Sequence, residues 1–239
     1  MALKTIPDTD IRIQWLDLWN DYVHTVPQMF FYPVKHHGDR PAHIYWGDNQ
    51  WKTLTYKEFA AVAEEIAAGL ISLGVKKGDN LVIMSPNCAE WGWADMGIEL
   101  AGGCTTTIFP SLGKDDVSFI VNHSQVNYFF AGNKALVDII NSFRTELPTL
   151  KGIICLQGLE AGNGHDLFTL DEIMASGRQL LEQQPVVVEE RTATITPEDG
   201  ATTVYTSGTT GKLKAARLTH GEVTDGIWRC LRNQMMGEI

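Results

Sequence analysis

From residue 81 to residue 183, short apolar runs alternate with longer stretches of helical period, and this alternation is the strongest constraint on the fold. Leu81–Met84, Cys104–Phe109, Tyr128–Ala131 and Gly152–Leu156 are strand-length runs, most of them rich in β-branched or aromatic residues. Between them lie a helical stretch from Asn87 to about Leu100, a helix with Asp115 and Asp116 in its first turn, and a helix over Ala135–Leu147. Acidic residues in a first turn favour the helix dipole. Strands separated by helices cannot close as tight hairpins; they pair in parallel and need cover on both faces. The expected fold class is α/β, a mainly parallel sheet flanked by helices.

Local signals set the boundaries. Thr55 with Glu58, Asn87 with Glu90, and Thr169 with Glu172 have capping-box spacing. The helix after Thr55 repeats Phe59, Val62, Ala63, Ile66, Leu70 and Leu73 along one face, and Gly74 ends it. The helix after Thr169 reaches about Gln183. His43–Trp46 and Trp51–Thr55 flank the turn residues Gly47–Gln50 and read as a hairpin. Trp15, Leu16, Leu18, Trp19 and Tyr22 recur at helical spacing and predict a short amphipathic helix held by packing. Residues 157–168 read as a loop and 184–194 as extended. Organisation follows: residues 1–42 form an N-terminal extension, 43–183 a β–α alternating sub-domain, and 184–239 a closing segment.

Composition removes several functions. The chain has 239 residues, 44% of them hydrophobic, and a formal net charge of −10. An acidic chain has no general attraction to nucleic acid or anionic lipid. No run of 18 apolar residues exists and no signal peptide opens the chain, so a cytoplasmic protein without a transmembrane segment is expected. Cys88, Cys104, Cys155 and Cys230 form no close pair and lie in or beside apolar runs. They read as buried thiols, and no metal site is expected.

The chemistry concentrates in Thr202-Thr203-Val204-Tyr205-Thr206-Ser207-Gly208-Thr209-Thr210-Gly211-Lys212-Leu213-Lys214. A β-branched strand runs into small, hydroxyl-bearing residues closed by two lysines. Gly208 and Gly211 allow sharp turns that bring N–H groups to an anion. Thr206, Ser207, Thr209 and Thr210 add hydroxyl donors, and Lys212 and Lys214 add positive charge. Together they suit a polyphosphate. A Walker A loop needs glycine where Thr206 stands and serine or threonine where Leu213 stands, so that reading fails. Lys212–Arg232 holds five basic and two acidic residues, against the sign of the whole chain.

Tyr205–Lys214 resembles the signature loop of the adenylate-forming superfamily, [YF]-T-S-G-[ST]-T-G-x-P-K-G, and Leu218-Thr219-His220 resembles the L-[TS]-H that follows it. Leu54-Thr55-Tyr56 with Glu58, Gly74–Asp79 and Pro197-Glu198-Asp199 are similar to the family's upstream landmarks. The wording around Val26-Pro27-Gln28, Asp39–Ala42 and Glu99–Pro110 resembles the fatty-acyl-CoA synthetase branch. The resemblance implies an AMP-forming acid–CoA ligase that joins a carboxylic acid, here a fatty acid, to AMP and passes it to coenzyme A. It implies ATP and Mg2+, with Thr206, Ser207, Gly208, Thr209, Thr210, Gly211, Lys212 and Lys214 around phosphate. No catalytic residue is assigned. The family's adenine, ribose and magnesium motifs and its catalytic lysine are absent from the sequence, so little or no activity is expected of this chain alone.

Two positions depart from the pattern: Leu213 replaces the usual proline and Ala215 the usual glycine. The loop gains freedom without the proline, and a methyl at 215 conflicts with a positive φ. Three other readings stay open: a non-catalytic nucleotide- or protein-binding module on the same scaffold, an adenylate-forming enzyme with a different acid or acceptor, and an acyltransferase using His220 as base with Asp225 in H-x-x-x-x-D spacing. No G-x-S-x-G elbow supports a hydrolase, and no G-x-G-x-x-G a dinucleotide site. Exposed apolar surface predicts homo-oligomers, and peripheral membrane contact is compatible with the sequence.

Overall fold

A computed structural model of the chain describes residues 23–47, 49–162, 164–207 and 213–236, with the backbone alone beyond Cys230. The helix expected around Trp15–Tyr22 lies outside these residues. Helix α1 (Val26–His37) comes first, opened by a capping box between Thr25 and Gln28. The hairpin β1 (Pro41–Gly47) and β2 (Gln50–Thr55) follows. Then come α2 (Tyr56–Ser72), β3 (Asn80–Met84), α3 (Ala89–Leu100), β4 (Cys104–Ile108), α4 (Lys114–His123), β5 (Tyr128–Ala131), α5 (Lys134–Ser142) and β6 (Gly152–Cys155). The remainder is β7 (Leu167–Thr169), α6 (Leu170–Gln183), α7 (Val187–Ala193), β8 (Gly200–Ser207), β9 (Leu213–Thr219) and α8 (His220–Met236).

Seven strands form one sheet in the order β7-β6-β5-β3-β4-β8-β9. Every neighbouring pair is parallel except β8–β9, an antiparallel hairpin. The period of two along the central strands splits the core. Leu81, Ile83, Tyr128, Phe130 and Ile154 face α2, α3 and α6, while Val82, Met84, Phe129, Ala131, Ile153 and Cys155 face α4 and α5. The result is the helix–sheet–helix layering expected of strands alternating with helices.

The contact between α2 and α6 is a backbone crossing. A Cβ placed on Gly69 would lie 2.2 Å from the Ile173 carbonyl oxygen, and one on Gly177 would lie 1.8 Å from that of Glu65. Two glycines, one per helix, let the main chains touch, and Arg178 pairs with Glu65 beside them at 2.6 Å.

The Thr55–Glu58 and Thr169–Glu172 capping boxes form, and Gly74, at φ +83°, follows the end of α2. The Asn87–Glu90 box does not. Helix α3 starts one residue late, with extended Cys88 at its N-cap. That shift removes the spacing, and Glu90 instead accepts from Gln157 Nε2 at 2.9 Å. Residues 184–194 are not extended: Val187–Ala193 is helical. Val188 is buried against the core, and Arg191 Nη1 donates to the carbonyls of Val75 and Ala101 at 3.1 and 2.8 Å. This anchoring overrides the β propensity of three consecutive valines. The expected loop 157–168 ends inside β7, which pairs with β6 at the sheet edge. The helix expected over Ala135–Leu147 stops at Ser142 and gives way to a 3-10 turn over Arg144–Glu146.

Candidate nucleotide site

The described parts of the segment expected to bind polyphosphate, Thr202–Ser207 and Leu213–Lys214, lie at the carboxyl end of the sheet. Strand β8 pairs with β4 from Thr105↔Thr202 to Thr107↔Val204, and Tyr205, Thr206 and Ser207 continue past that last pair. In open parallel sheets this end is where ligands bind. The chain returns as β9, with Thr206 opposite Lys214 and Ser207 opposite Leu213.

The sequence expected one continuous loop from Tyr205 to Lys214. Tyr205, Thr206, Ser207, Leu213 and Lys214 instead lie in paired strands. Gly208, Thr209, Thr210, Gly211 and Lys212 fall outside the described residues. The strand ends, Ser207 and Leu213, therefore form a rim that flanks those five residues. Thr206, Ser207 and Lys214 are all exposed there.

Two anchors hold the rim. Tyr205 packs partly against the α4–α5 core, and its hydroxyl lies 2.6 Å from His123 Nδ1 and 2.7 Å from Ser124 Oγ. Phe119 meets the same ring edge-on, with centroids 6.2 Å apart. Leu213 packs against the same core. At the other end of the hairpin, the His220 N–H donates to the Asp199 carbonyl at 3.0 Å, and Asp199 pairs with Lys77 at 2.6 Å. The hairpin is thus tied to α4 at one end and to the α2–β3 turn at the other.

The substitution at 215 is harmless in this frame. Ala215 lies opposite Tyr205 inside β9, and no positive φ occurs there. Extended backbone accepts a methyl without strain. Leu213 contributes an apolar contact with the core at the position where the pattern has proline.

His220 is not available as a base. It is 1% exposed, and its Nδ1 accepts the Val26 N–H at 3.4 Å. Burial lowers its pKa to about 4, so it is neutral at neutral pH. Glu99 Oε2 is 3.5 Å from the same nitrogen. Burial first, and then the charge of Asp95, hold Glu99 well above the usual carboxylate range. Burial also raises Asp95, to about 6. The acyltransferase reading is overturned because its base is buried and occupied. This group, with Glu99 and His220 buried and Asp95 partly so, was not anticipated from the sequence. Its signal was Asp95 and Glu99 one helical turn apart in a largely apolar helix. The Tyr205–His123–Ser124 contact had no local signal, since its partners are about 80 positions apart.

Cys104 and Cys155 are buried as expected, but Cys88 is half-buried and Cys230 is exposed. Thr224 and Trp228 turn inward one helical turn apart, and Cys230, two residues further on, lies on the opposite side of α8. Among the described residues, no group of three or more His, Cys, Asp or Glu side chains could hold a metal ion. No described helix is long and apolar enough to cross a membrane.

The family comparison is decisive on membership. The AMP-binding enzyme family matches residues 30–237. The chain belongs to that family. Long-chain-fatty-acid–CoA ligase ACSBG1 of Rattus norvegicus is 23% identical over 98% of this chain and 32% of its own length. ACSBG2 of Homo sapiens, of the same description, is 29% identical over 84% of this chain and 30% of its own. FadD15 of Mycobacterium bovis is 29% identical over 81% and 31%. The chain thus spans about a third of the length of the curated relatives it matches.

Among solved structures, a putative long-chain-fatty-acid CoA ligase from Rhodopseudomonas palustris superposes with a TM-score of 0.67 at 19% identity, over 87% of this chain and 47% of that one. The A-PCP didomain of carboxylic acid reductase from Segniliparus rugosus, in complex with AMP, gives 0.71 at 18% identity, over 87% and 34%. These likenesses establish the fold of the chain as that of adenylate-forming enzymes.

Proposed function

We propose that the chain supplies the phosphate-binding segment of an AMP-forming acid–CoA ligase acting on fatty acids. The observation that carries this reading is the placement of Thr206, Ser207 and Lys214, exposed at the rim of a hairpin that overshoots the carboxyl end of a parallel sheet. In this reading Thr206, Ser207, Gly208, Thr209, Thr210, Gly211, Lys212 and Lys214 hold the β- and γ-phosphates of ATP. Hydroxyls and backbone N–H groups donate to phosphate oxygens, and the two ammonium groups offset the charge that builds as pyrophosphate leaves. The chain's part is positional and electrostatic: it fixes the triphosphate so that the acid's carboxylate approaches the α-phosphorus in line. The donor set fits a triphosphate. Among the described residues there is no cluster of carboxylate, histidine or cysteine side chains for Mg2+. Coenzyme A and a fatty acid are the proposed co-substrates because the relatives are long-chain-fatty-acid–CoA ligases, and the cytoplasm is the expected compartment.

The test is calorimetric titration of the chain with ATP·Mg, repeated on Lys212→Ala. Binding in the millimolar range or tighter, weakened about tenfold or more by the substitution, supports the reading; loss of one charge-assisted contact predicts that scale. No heat from the wild type at millimolar ATP leaves only a scaffold module and overturns it.

A further inference from the structure

Strand β8 loses a neighbour just before the rim. Its ladder with β4 ends at Thr107↔Val204, and from Tyr205 onward it pairs only with β9 among the described residues. Thr206 and Ser207 thus leave the sheet on a two-stranded ribbon, which is marginally stable by itself. Tyr205 is the last residue before them, and its side chain reaches across to α4. The ring packs partly against the α4–α5 core, and the hydroxyl lies between His123 Nδ1 at 2.6 Å and Ser124 Oγ at 2.7 Å.

This tether ends on a fixed support. Ser124 caps the C-terminus of α4, its N–H donating to the Ile120 carbonyl at 2.9 Å, and its own carbonyl accepts from Asn80 Nδ2 at 2.7 Å, at the start of β3. Phe119, one turn before His123 on α4, stacks on the imidazole at 5.3 Å and 24° and meets the Tyr205 ring at 89°. The proton order follows from the phenol. Burial raises the Tyr205 pKa, against an opposing pull from the Ser124 hydroxyl, so the phenol keeps its proton at neutral pH. A phenol between two partners donates to one and accepts from the other. The Ser124 hydroxyl donates to the phenol oxygen, and the phenol O–H donates to His123 Nδ1. His123 then carries its own proton on Nε2. Its imidazole is exposed and adds little to the core.

We propose that His123 is a positioning residue for the phosphate-binding rim, acting through the Tyr205 hydroxyl and held as the Nε2–H tautomer. It fixes the direction in which β8 leaves β4, and with it the places of Thr206 and Ser207, whose small displacement weakens a site built on geometry. The inference rests on the reading of this rim as an ATP site.

The experiment is calorimetric titration with ATP·Mg of the wild type, His123→Ala, His123→Asn, Tyr205→Phe and the double variant His123→Ala/Tyr205→Phe, together with nitrogen NMR of the imidazoles without nucleotide. His123→Ala and Tyr205→Phe should each weaken binding by about three- to tenfold, the worth of one hydrogen bond. His123→Asn, which keeps an acceptor oxygen where Nδ1 stands, should stay within about twofold of the wild type. The double variant should bind no worse than the weaker single variant, as one shared contact demands. The wild-type His123 should show an unprotonated Nδ1 whose signal shifts in Tyr205→Phe. Losses that add in the double variant, an equal loss in His123→Asn and His123→Ala, or single variants that bind as the wild type does overturn the proposal and leave the ATP site standing. So does a neutral His123 ring protonated at Nδ1. A wild type that binds no ATP·Mg overturns it together with the functional reading.

Discussion

Replacing Gly177 by alanine tests the backbone crossing of α2 and α6. In an open helix, alanine in place of glycine stabilises by about 1 kcal/mol. At position 177 the new methyl would lie 1.8 Å from the Glu65 carbonyl oxygen and 2.9 Å from the Gly69 nitrogen, where 3.0 Å is the practical floor. Both obstacles are main-chain atoms, so no side chain can swing aside. Helix α6 must retreat by about 1 Å, and such overpacking costs about 1–3 kcal/mol. The upper end applies because the neighbours are backbone, leaving a net loss of about 2 kcal/mol after the helix gain. For a domain of this size that lowers Tm by about 4–8 °C. Gly226→Ala in α8 is the control, since its added Cβ meets nothing within 4 Å. It should raise Tm by about 2–4 °C. Calorimetric scans of wild type and both variants decide the matter. A Gly177→Ala protein melting at or above the wild type would refute the crossing.

Thr169→Ala removes the hydroxyl that accepts from the Glu172 N–H at 3.1 Å, and urea unfolding should show a loss of about 1 kcal/mol; an unchanged midpoint would count against the cap. Glu99→Gln tests the buried carboxyl. Because burial and Asp95 raise its folded pKa, its stabilising share is full below the unfolded value of 4.5 and drains away as pH rises through the folded one. Glutamine escapes that loss, so the variant's urea midpoint should improve progressively relative to wild type as pH rises above the unfolded value of 4.5; a difference that does not change with pH contradicts the assignment. Thiol titration with an aromatic disulfide should find one fast-reacting group, Cys230, which Cys230→Ser removes. Burial pushes the thiols of Cys88, Cys104 and Cys155 up, and rapid reaction of any of these three in the native protein goes against it.

The layered fold was legible because its signals are local. The strands at Leu81, Cys104 and Tyr128 announce themselves by β-branched or aromatic runs, and Thr55 and Thr169 by the glutamate three residues on. Non-local packing was not legible. Val186-Val187-Val188 looks like strand until Arg191 is seen reaching two carbonyls more than 80 residues earlier. Asn87 has the right spacing for a cap, but the helix begins one residue later. At the candidate site, residue types spelled out polyphosphate chemistry. The division into strand ends and a five-residue connection depends on pairing with β4 and β9, and the segment's own composition does not carry it.

The sheet order also dictates when the nucleotide segment can take shape during folding. The chain leaves β7 at one edge of the sheet, traverses α6 and α7, and delivers β8 beyond β4 near the other edge. The Thr202 hydroxyl donates to the Thr105 carbonyl across 97 positions of sequence. Pairings at that separation form late, because the intervening chain must be ordered first. The central strands and their helices therefore act as a template. The hairpin acquires its geometry only once that template exists, and lesions deep in β4 would distort the rim at Thr206, Ser207 and Lys214 while leaving those residues themselves intact.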